Sequence, residues 1–170
     1  MIHREDVIGV LGENGIGKST LMKVLAGDID KDLSLDEVDM SYKPQQLSAD
    51  DTLVRLYLQG GERYRHNVLN PLSIEPLLDQ QLDELSGGEL QRVQIAKCLI
   101  TDADIYLLDE PSAYLDVEQR LAASKAIKAV MEQRETAAVV IDHDLLFIDY
   151  IANRLLVFDG EPGVRGEANG

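Results

Sequence analysis

The segment "GENGIGKST", residues 12–20, constrains the fold more than any other part of the sequence, because it matches G-x-x-x-x-G-K-[ST]. It follows the apolar segment Val7 to Leu11, typical of a short strand, and leads into a helical pattern from Ser19 to Leu25. Glycines let backbone N–H groups surround phosphate oxygens, and the N-terminus of the following helix adds partial positive charge. The segment therefore predicts a strand, a phosphate-binding loop and a helix within an α/β fold.

The side chains of this loop indicate which ligand it binds. A lysine at a helix N-terminus, such as Lys18, is unfavourable unless an anion lies there. Lys18 is expected to contact the β- and γ-phosphates of ATP, and Ser19 to coordinate Mg²⁺. The residues expected to bind the nucleotide are Gly12, Asn14, Gly15, Gly17, Lys18, Ser19 and Thr20.

Two carboxylates end the apolar segment "IYLLDEP", residues 105–111. A buried carboxylate is unfavourable unless a cation or hydrogen bonds compensate it. Asp109 is expected to bind Mg²⁺, and Glu110 to polarise the water that attacks the γ-phosphate. Since Glu110 precedes a proline, its backbone is expected to be extended.

The segment "LSGGELQR", residues 85–92, begins a predicted helix with two glycines. Ser86 and Glu89 have the spacing of a capping box, which does not require glycine. Gly87 and Gly88 cost helix stability, so they indicate that another group approaches the bare backbone.

Three further polar residues are weaker candidates. His143 follows the apolar segment "AAVVI" and is predicted to contact the γ-phosphate, although a lone loop histidine is more often solvated. Gln45 follows the alternating segment "VDMSYK". Asp116 can simply cap the next helix, with Gln119 three residues on.

Strand and helix patterns alternate along the chain, which predicts a mostly parallel sheet covered on both faces. Residues 51–100 interrupt the alternation and are predicted to form a helical insertion. Val117, Leu121, Ile127, Val130 and Met131 mark the apolar side of a predicted amphipathic helix, and residues 161–170 resemble the start of a hinge or linker.

Composition excludes several classes of protein. The 170 residues are 45% hydrophobic and contain no apolar run near the roughly 20 residues that span a bilayer. No signal peptide is visible, and the single cysteine, Cys98, is expected to be a packed residue in a reducing cytoplasm. With 31 acidic and 16 basic residues, the net charge is −15, which argues against charge-driven binding of nucleic acid and favours a salt-rich cytoplasm.

The order of phosphate loop, "YKPQ", "LSGGELQR", "IYLLDEPSAYLD" and "VIDHD" resembles the nucleotide-binding domain of ATP-binding-cassette (ABC) ATPases. The resemblance implies ATP and Mg²⁺ as cofactors and a second such domain as partner. Ser86, Gly87 and Gly88 would then bind the γ-phosphate of ATP held by that partner. It also implies that Gln45 senses Mg²⁺ and water, that Asp116 lies in the interdomain D-loop, and that His143 is the switch histidine.

"SYKPQ", "SAYLD" and "DHDLLFIDYIA" are most similar to the second nucleotide-binding domain of the class E ABC family, the ribosome-recycling ATPases. This implies ATP-driven splitting of ribosomes, with the small ribosomal subunit and termination factors as partners and no membrane. Residues 1–160 would be an N-terminally truncated domain that, as an isolated fragment, is expected to be poorly active. The alternatives are an ATPase subunit of a membrane transporter, a DNA-maintenance ATPase and a truncated product without turnover. A DNA-maintenance ATPase needs a very long coiled coil between the phosphate loop and the signature segment "LSGGE", and the stretch between Thr20 and Leu85 is too short for it.

Overall fold

The computed structural model describes residues 6–12, 20, 38–161 and 165–169. In this part of the chain, one sheet has the strand order β2-β3-β4-β1-β5-β6. The strands are β1 (Val7–Gly12), β2 (Met40–Lys43), β3 (Ile105–Asp109), β4 (Ala137–Ile141), β5 (Arg154–Glu161) and β6 (Arg165–Asn169).

The first five strands pair in parallel, and only β6 is antiparallel, to β5. The predicted mostly parallel α/β sheet is therefore confirmed. The tail differs from the linker expected after residue 160, because Glu161 belongs to β5 and pairs with Arg165 at the start of β6. Residues 165–169 therefore extend the sheet.

The helical segments confirm a helical insertion made of short pieces followed by one long helix. Two α-helices lie in it, α1 (Val54–Tyr57) and α2 (Gly87–Ile100), with 3₁₀ segments at Gly61–Tyr64, Glu75–Leu77 and Leu82–Glu84 and a π-helical segment at Arg65–Leu69. Beyond the insertion, α3 (Val117–Arg134) connects β3 to β4, and α4 (Leu145–Ile151) connects β4 to β5. Among the described residues, no helix has the length and apolar character needed to span a membrane.

Both long helices begin with the capping boxes that the sequence predicts. Ser86 Oγ accepts a hydrogen bond from the Glu89 N–H, and Glu89 Oε2 accepts one from the Ser86 N–H. Asp116 and Gln119 form the same reciprocal pair at the start of α3. These bonds satisfy N–H groups that a helix start leaves without partners.

Alternating strand residues build a core on each face of the sheet. Tyr106 and Leu108 pack with α2, α3 and α4 in a large cluster, whereas Leu107 belongs to a smaller cluster on the opposite face. Cys98 is buried in the large cluster as predicted, and burial raises the pKa of its thiol to about 11.

The amphipathic pattern of α3 was only partly right. Ile127, Val130 and Met131 are fully buried, but Val117 and Leu121 are exposed near the start of the helix. Val117 is the first residue of the helix, and Leu121 lines an open groove together with His66, Asn67 and Pro71 of the insertion.

Close packing joins β1 to α4. A Cβ atom added to Gly9 of β1 would lie 2.7 Å from Ile148 Cγ2 of α4, too close for any side chain without a shift. Glycine at this position therefore allows α4 to approach the central strand, and α4 begins directly after the candidate residue His143.

Candidate active site

The predicted site residues follow the carboxyl ends of parallel strands, where ligands of such sheets bind. Gly12 ends β1, Gln45 lies two residues after β2, and Asp109 ends β3. His143 lies two residues after β4. Of the phosphate loop, Gly12 and the exposed, helical Thr20 are described, whereas Asn14, Gly15, Gly17, Lys18 and Ser19 lie outside the described residues.

The structure brings two of the predicted catalytic side chains into direct contact. His143 Nε2 lies 2.9 Å from Glu110 Oε1. The Glu110 carboxyl is largely buried, while about half of the imidazole is exposed. The pair thus has one side in the protein and one side open to an incoming group, as a proton-accepting site requires.

The backbone of Glu110 corrects the expectation of an extended conformation, because its φ is +50°. The left-handed region is unfavourable for a residue with a Cβ, by roughly 1–2 kcal/mol, and such strain is concentrated at functional sites. The chain therefore turns sharply at the end of β3, and the reason is tertiary: the Glu110 N–H donates to the Ile141 carbonyl at 2.7 Å.

Two buried side chains that sequence reasoning missed bind the main chain at this turn. Gln91 of α2 is fully buried, and its Nε2 donates to the carbonyl oxygens of Glu110 at 2.8 Å and of Pro111 at 3.0 Å. Lys43 Nζ donates to the Asp109 carbonyl at 2.9 Å, with the Glu110 carbonyl at 3.5 Å. The strained turn is therefore fixed from two sides.

Lys43 is an unusual core residue, only 1% exposed at the end of β2. Burial lowers the pKa of its ammonium group to about 8, against the attraction of nearby Asp109 and other acidic groups. A signal for it was present in the sequence. Lys43 lies on the same side of the strand as the buried Ser41, so alternation places it inward.

A third buried side chain connects this turn to the loop of His143. Both Asp142 carboxylate oxygens accept bonds from Ser112, one from its N–H at 2.9 Å and one from its hydroxyl at 2.7 Å. Asp142 Oδ1 also accepts from the Asp144 N–H at 2.9 Å. The loop of Glu110 and the loop of His143 are thus joined inside the protein by the hydrogen bonds between Ser112 and Asp142.

The predicted signature residues, Ser86, Gly87 and Gly88, lie at the N-terminus of α2. Ser86 and Gly87 are exposed, and Asp116 is also exposed at the start of α3. A Cβ atom on Gly88 would lie 2.9 Å from the Tyr114 carbonyl oxygen, and one on Gly87 would lie 3.3 Å from the Tyr114 ring. Within this chain, the bare backbone at Gly88 is therefore required by the loop before α3.

Asp109 fits the expected role of a magnesium ligand by position. It is 1% exposed at the carboxyl edge, and a carboxylate together with hydroxyl and amide oxygens is a donor set that suits Mg²⁺. Gln45 is exposed in a bend two residues after β2.

Comparisons with known proteins show the family to which the chain is similar. Residues 1–113 match the family described as ABC transporter. An uncharacterized ABC transporter ATP-binding protein of Methanocaldococcus jannaschii is 50% identical over 97% of the chain and 29% of its own length. "ABC transporter E family member 3" of Arabidopsis thaliana is 43% identical over 81% of the chain and 85% of its own length.

Among solved structures, a model of ribosome-bound archaeal Pelota and ABCE1 superposes on the chain with a TM-score of 0.91 and 48% identity. The match covers 99% of the chain and 30% of that protein. The chain thus spans about a third or less of these longer relatives.

The chain belongs to the ABC family and is an ATP-binding and ATP-hydrolysing domain of that family. Within the family, its similarity is to the class E members, the RNase L inhibitor type, as the sequence motifs predict.

Proposed function

We propose that this chain is one of the two ATP-hydrolysing halves of a class E protein that splits ribosomes into subunits. The observation that supports it most directly is the similarity, over nearly the whole chain, to an ABCE1 protein bound to a ribosome. By this proposal the partners are the small ribosomal subunit and termination factors, and the protein works in the cytoplasm. No described feature favours a membrane subunit as partner.

The chemistry is assigned to the Glu110–His143 pair. The Glu110 carboxylate accepts a hydrogen bond from the attacking water and increases its nucleophilicity. The His143 imidazole, which is bonded to Glu110 through Nε2, orients that carboxylate and presents its exposed side toward the γ-phosphate. Gln45 would position the water from the neighbouring strand.

Magnesium is a proposed cofactor, with Ser19, Gln45 and Asp109 as its protein-side ligands or water-mediated contacts. When bound, it would neutralise charge on the β- and γ-phosphates. The buried Asp109 lies near the Lys43 ammonium group, which partly compensates the negative charge at this edge of the sheet.

The signature residues are proposed to bind the second nucleotide domain's ATP. Ser86 caps the helix N-terminus, Ser86 and Gly87 are both exposed, and such a helix end favours phosphate. In this composite arrangement, each ATP is contacted by one phosphate loop and by the opposite signature. Asp116 would lie in the interface between the two domains.

The proposal is tested in the natural protein that contains these residues, with two variants. Glu110→Gln should bind ATP and stay closed, so that it co-sediments with the small ribosomal subunit in a density gradient run with ATP. Ser86→Arg should bind ATP at its own phosphate loop and yet fail to close, because a bulky cation occupies the signature face. It should therefore remain at the top of the gradient.

Two results would contradict the proposal. If Glu110→Gln sediments with membranes, the transporter function is supported instead. If both variants sediment alike with ribosomes, closure through the Ser86 face does not control binding.

A further inference from the structure

Four contacts place the loop after β3, residues 110–116, along the first turns of α2. Gln91 binds the Glu110 and Pro111 carbonyls at one end of this loop. Gly87 and Gly88 approach Tyr114 near the other end. The loop that carries the proposed base therefore lies against the same helix start that carries the proposed signature.

Gln91 is suited to control the position of Glu110. It is fully buried, so its bonds are not exchanged with water, and both use the same Nε2 group. Turning the amide over would set its oxygen against two carbonyl oxygens, so its orientation is fixed. Gln91 also lies only five residues after Ser86, about 8 Å along a rigid helix.

We propose that Gln91 is a positioning residue that links the signature end of α2 to the general base. Its two hydrogen bonds fix the left-handed backbone of Glu110 relative to Ser86, so that movement of the α2 N-terminus at one composite site moves the carboxylate at the other. This inference depends on the proposed role of Glu110 and adds to it a route between the two sites.

The chain supplies a matched control in Gln94, a second buried glutamine on α2. Its Oε1 accepts from the Tyr57 hydroxyl at 2.8 Å and its Nε2 donates to the Ser48 carbonyl at 3.2 Å. Neither partner belongs to the Glu110 turn, so Gln94→Met repeats the chemical change without touching the proposed link.

The experiment compares steady-state ATP turnover of the natural protein with Gln91→Met, Gln94→Met, Glu110→Gln and the double variant Gln91→Met/Glu110→Gln. Because misplacing a catalytic group by about 1 Å can cost roughly 100-fold in rate, Gln91→Met should lower kcat by about 10- to 100-fold. KM for ATP and the Gln94→Met rate should stay within about threefold of the unaltered protein. The double variant should turn over no more slowly than Glu110→Gln, since Gln91 acts through Glu110.

The proposal fails if Gln91→Met keeps kcat within about threefold, if Gln94→Met loses as much, or if the double variant shows the full additional loss. Gln91→Glu, which keeps the side-chain length but lacks the N–H donors, gives a second measurement if the methionine variant does not fold. Normal turnover in Glu110→Gln would overturn the proposed base and this inference together. A defect in Glu110→Gln with none in Gln91→Met would overturn the inference alone.

Discussion

Two adjacent residues of α2, Gln91 and Arg92, bind two turns of the chain in different ways. Gln91 donates to the carbonyls of Glu110 and Pro111, and the φ of Glu110 is +50°. Arg92 Nη1 donates to the carbonyls of Leu72 and Ser73, at 2.7 and 3.1 Å, and the φ of Ser73 is +52°. One turn lies at the carboxyl edge and the other in the short-helix segment, residues 51–85.

The two regions differ in how their polar groups are satisfied. At the carboxyl edge the partners are buried, as in Gln91 with two carbonyls and Ser112 with Asp142. In the short-helix segment, charged pairs such as Arg65 with Glu75 are about half exposed. Buried bonds cannot be replaced by water when one partner is lost, whereas exposed ones can. We therefore expect substitutions of polar residues to lower the free energy of unfolding more at the carboxyl edge than in the short-helix segment.

The largest effect is expected from Asp142→Ala. It leaves the buried Ser112 hydroxyl and two backbone N–H groups without their acceptor. We expect the free energy of unfolding to fall by about 3 kcal/mol, as measured by denaturant unfolding. Turnover should also fall, because the loops of Glu110 and His143 lose their connection. The exposed Asp149→Ala on α4 is the control, and an equal loss in both variants would contradict the importance of burial.

A smaller effect is expected from Arg92→Met. Loss of two charge-assisted bonds to Leu72 and Ser73, at a partly exposed site, should lower the free energy of unfolding by about 2 kcal/mol. Since the Ser73 turn lies away from Glu110, kcat measured at a temperature where the protein is folded should change less than about threefold. Lys97→Met, which removes the same charge from α2, should cost less than about 1 kcal/mol. If Arg92→Met lowers kcat as much as Gln91→Met does, the two residues do not differ in their effect on turnover.

The smallest effect is expected from Arg65→Ala. The Arg65–Glu75 pair, at 2.7 Å, is half exposed on both sides. Its removal should change the free energy of unfolding by less than about 1 kcal/mol, and the difference should shrink in concentrated salt because the charges are screened. A double-mutant cycle with Glu75→Ala measures the coupling energy of the pair. A value well above about 1 kcal/mol at high salt would show that this exposed pair stabilises the protein as strongly as the buried partners at the carboxyl edge.

The features that were predicted correctly from the sequence are strand positions and helix starts, which local patterns determine. The apolar segments "IYLLDEP" and "AAVVI" marked the positions of β3 and β4, and the Ser86–Glu89 and Asp116–Gln119 spacings predicted two helix starts. These features depend on residues within a few positions of one another, where periodicity and capping chemistry are decisive.

What the sequence did not predict depends on contacts between distant segments. The left-handed Glu110 was predicted extended from its proline neighbour, but the Ile141 carbonyl, 31 residues away in the chain, sets its backbone. Gln91 looked like an ordinary helix residue because its partners, Glu110 and Pro111, lie in the turn after β3, and the segment that contains β6 has a composition typical of a linker. Tertiary hydrogen bonds decided each of these cases.

The left-handed backbone of Glu110 also bears on how this protein would respond to selection in the laboratory. Glycine adopts φ near +50° without strain, so Glu110→Gly relieves about 1 kcal/mol of backbone strain. It also removes the proposed base. The greater freedom of glycine in the unfolded chain costs about 0.5–1 kcal/mol, which offsets that gain. A library screened for heat resistance alone would therefore tolerate loss of the proposed base, and thermostable variants of this chain should be chosen with turnover measured alongside melting.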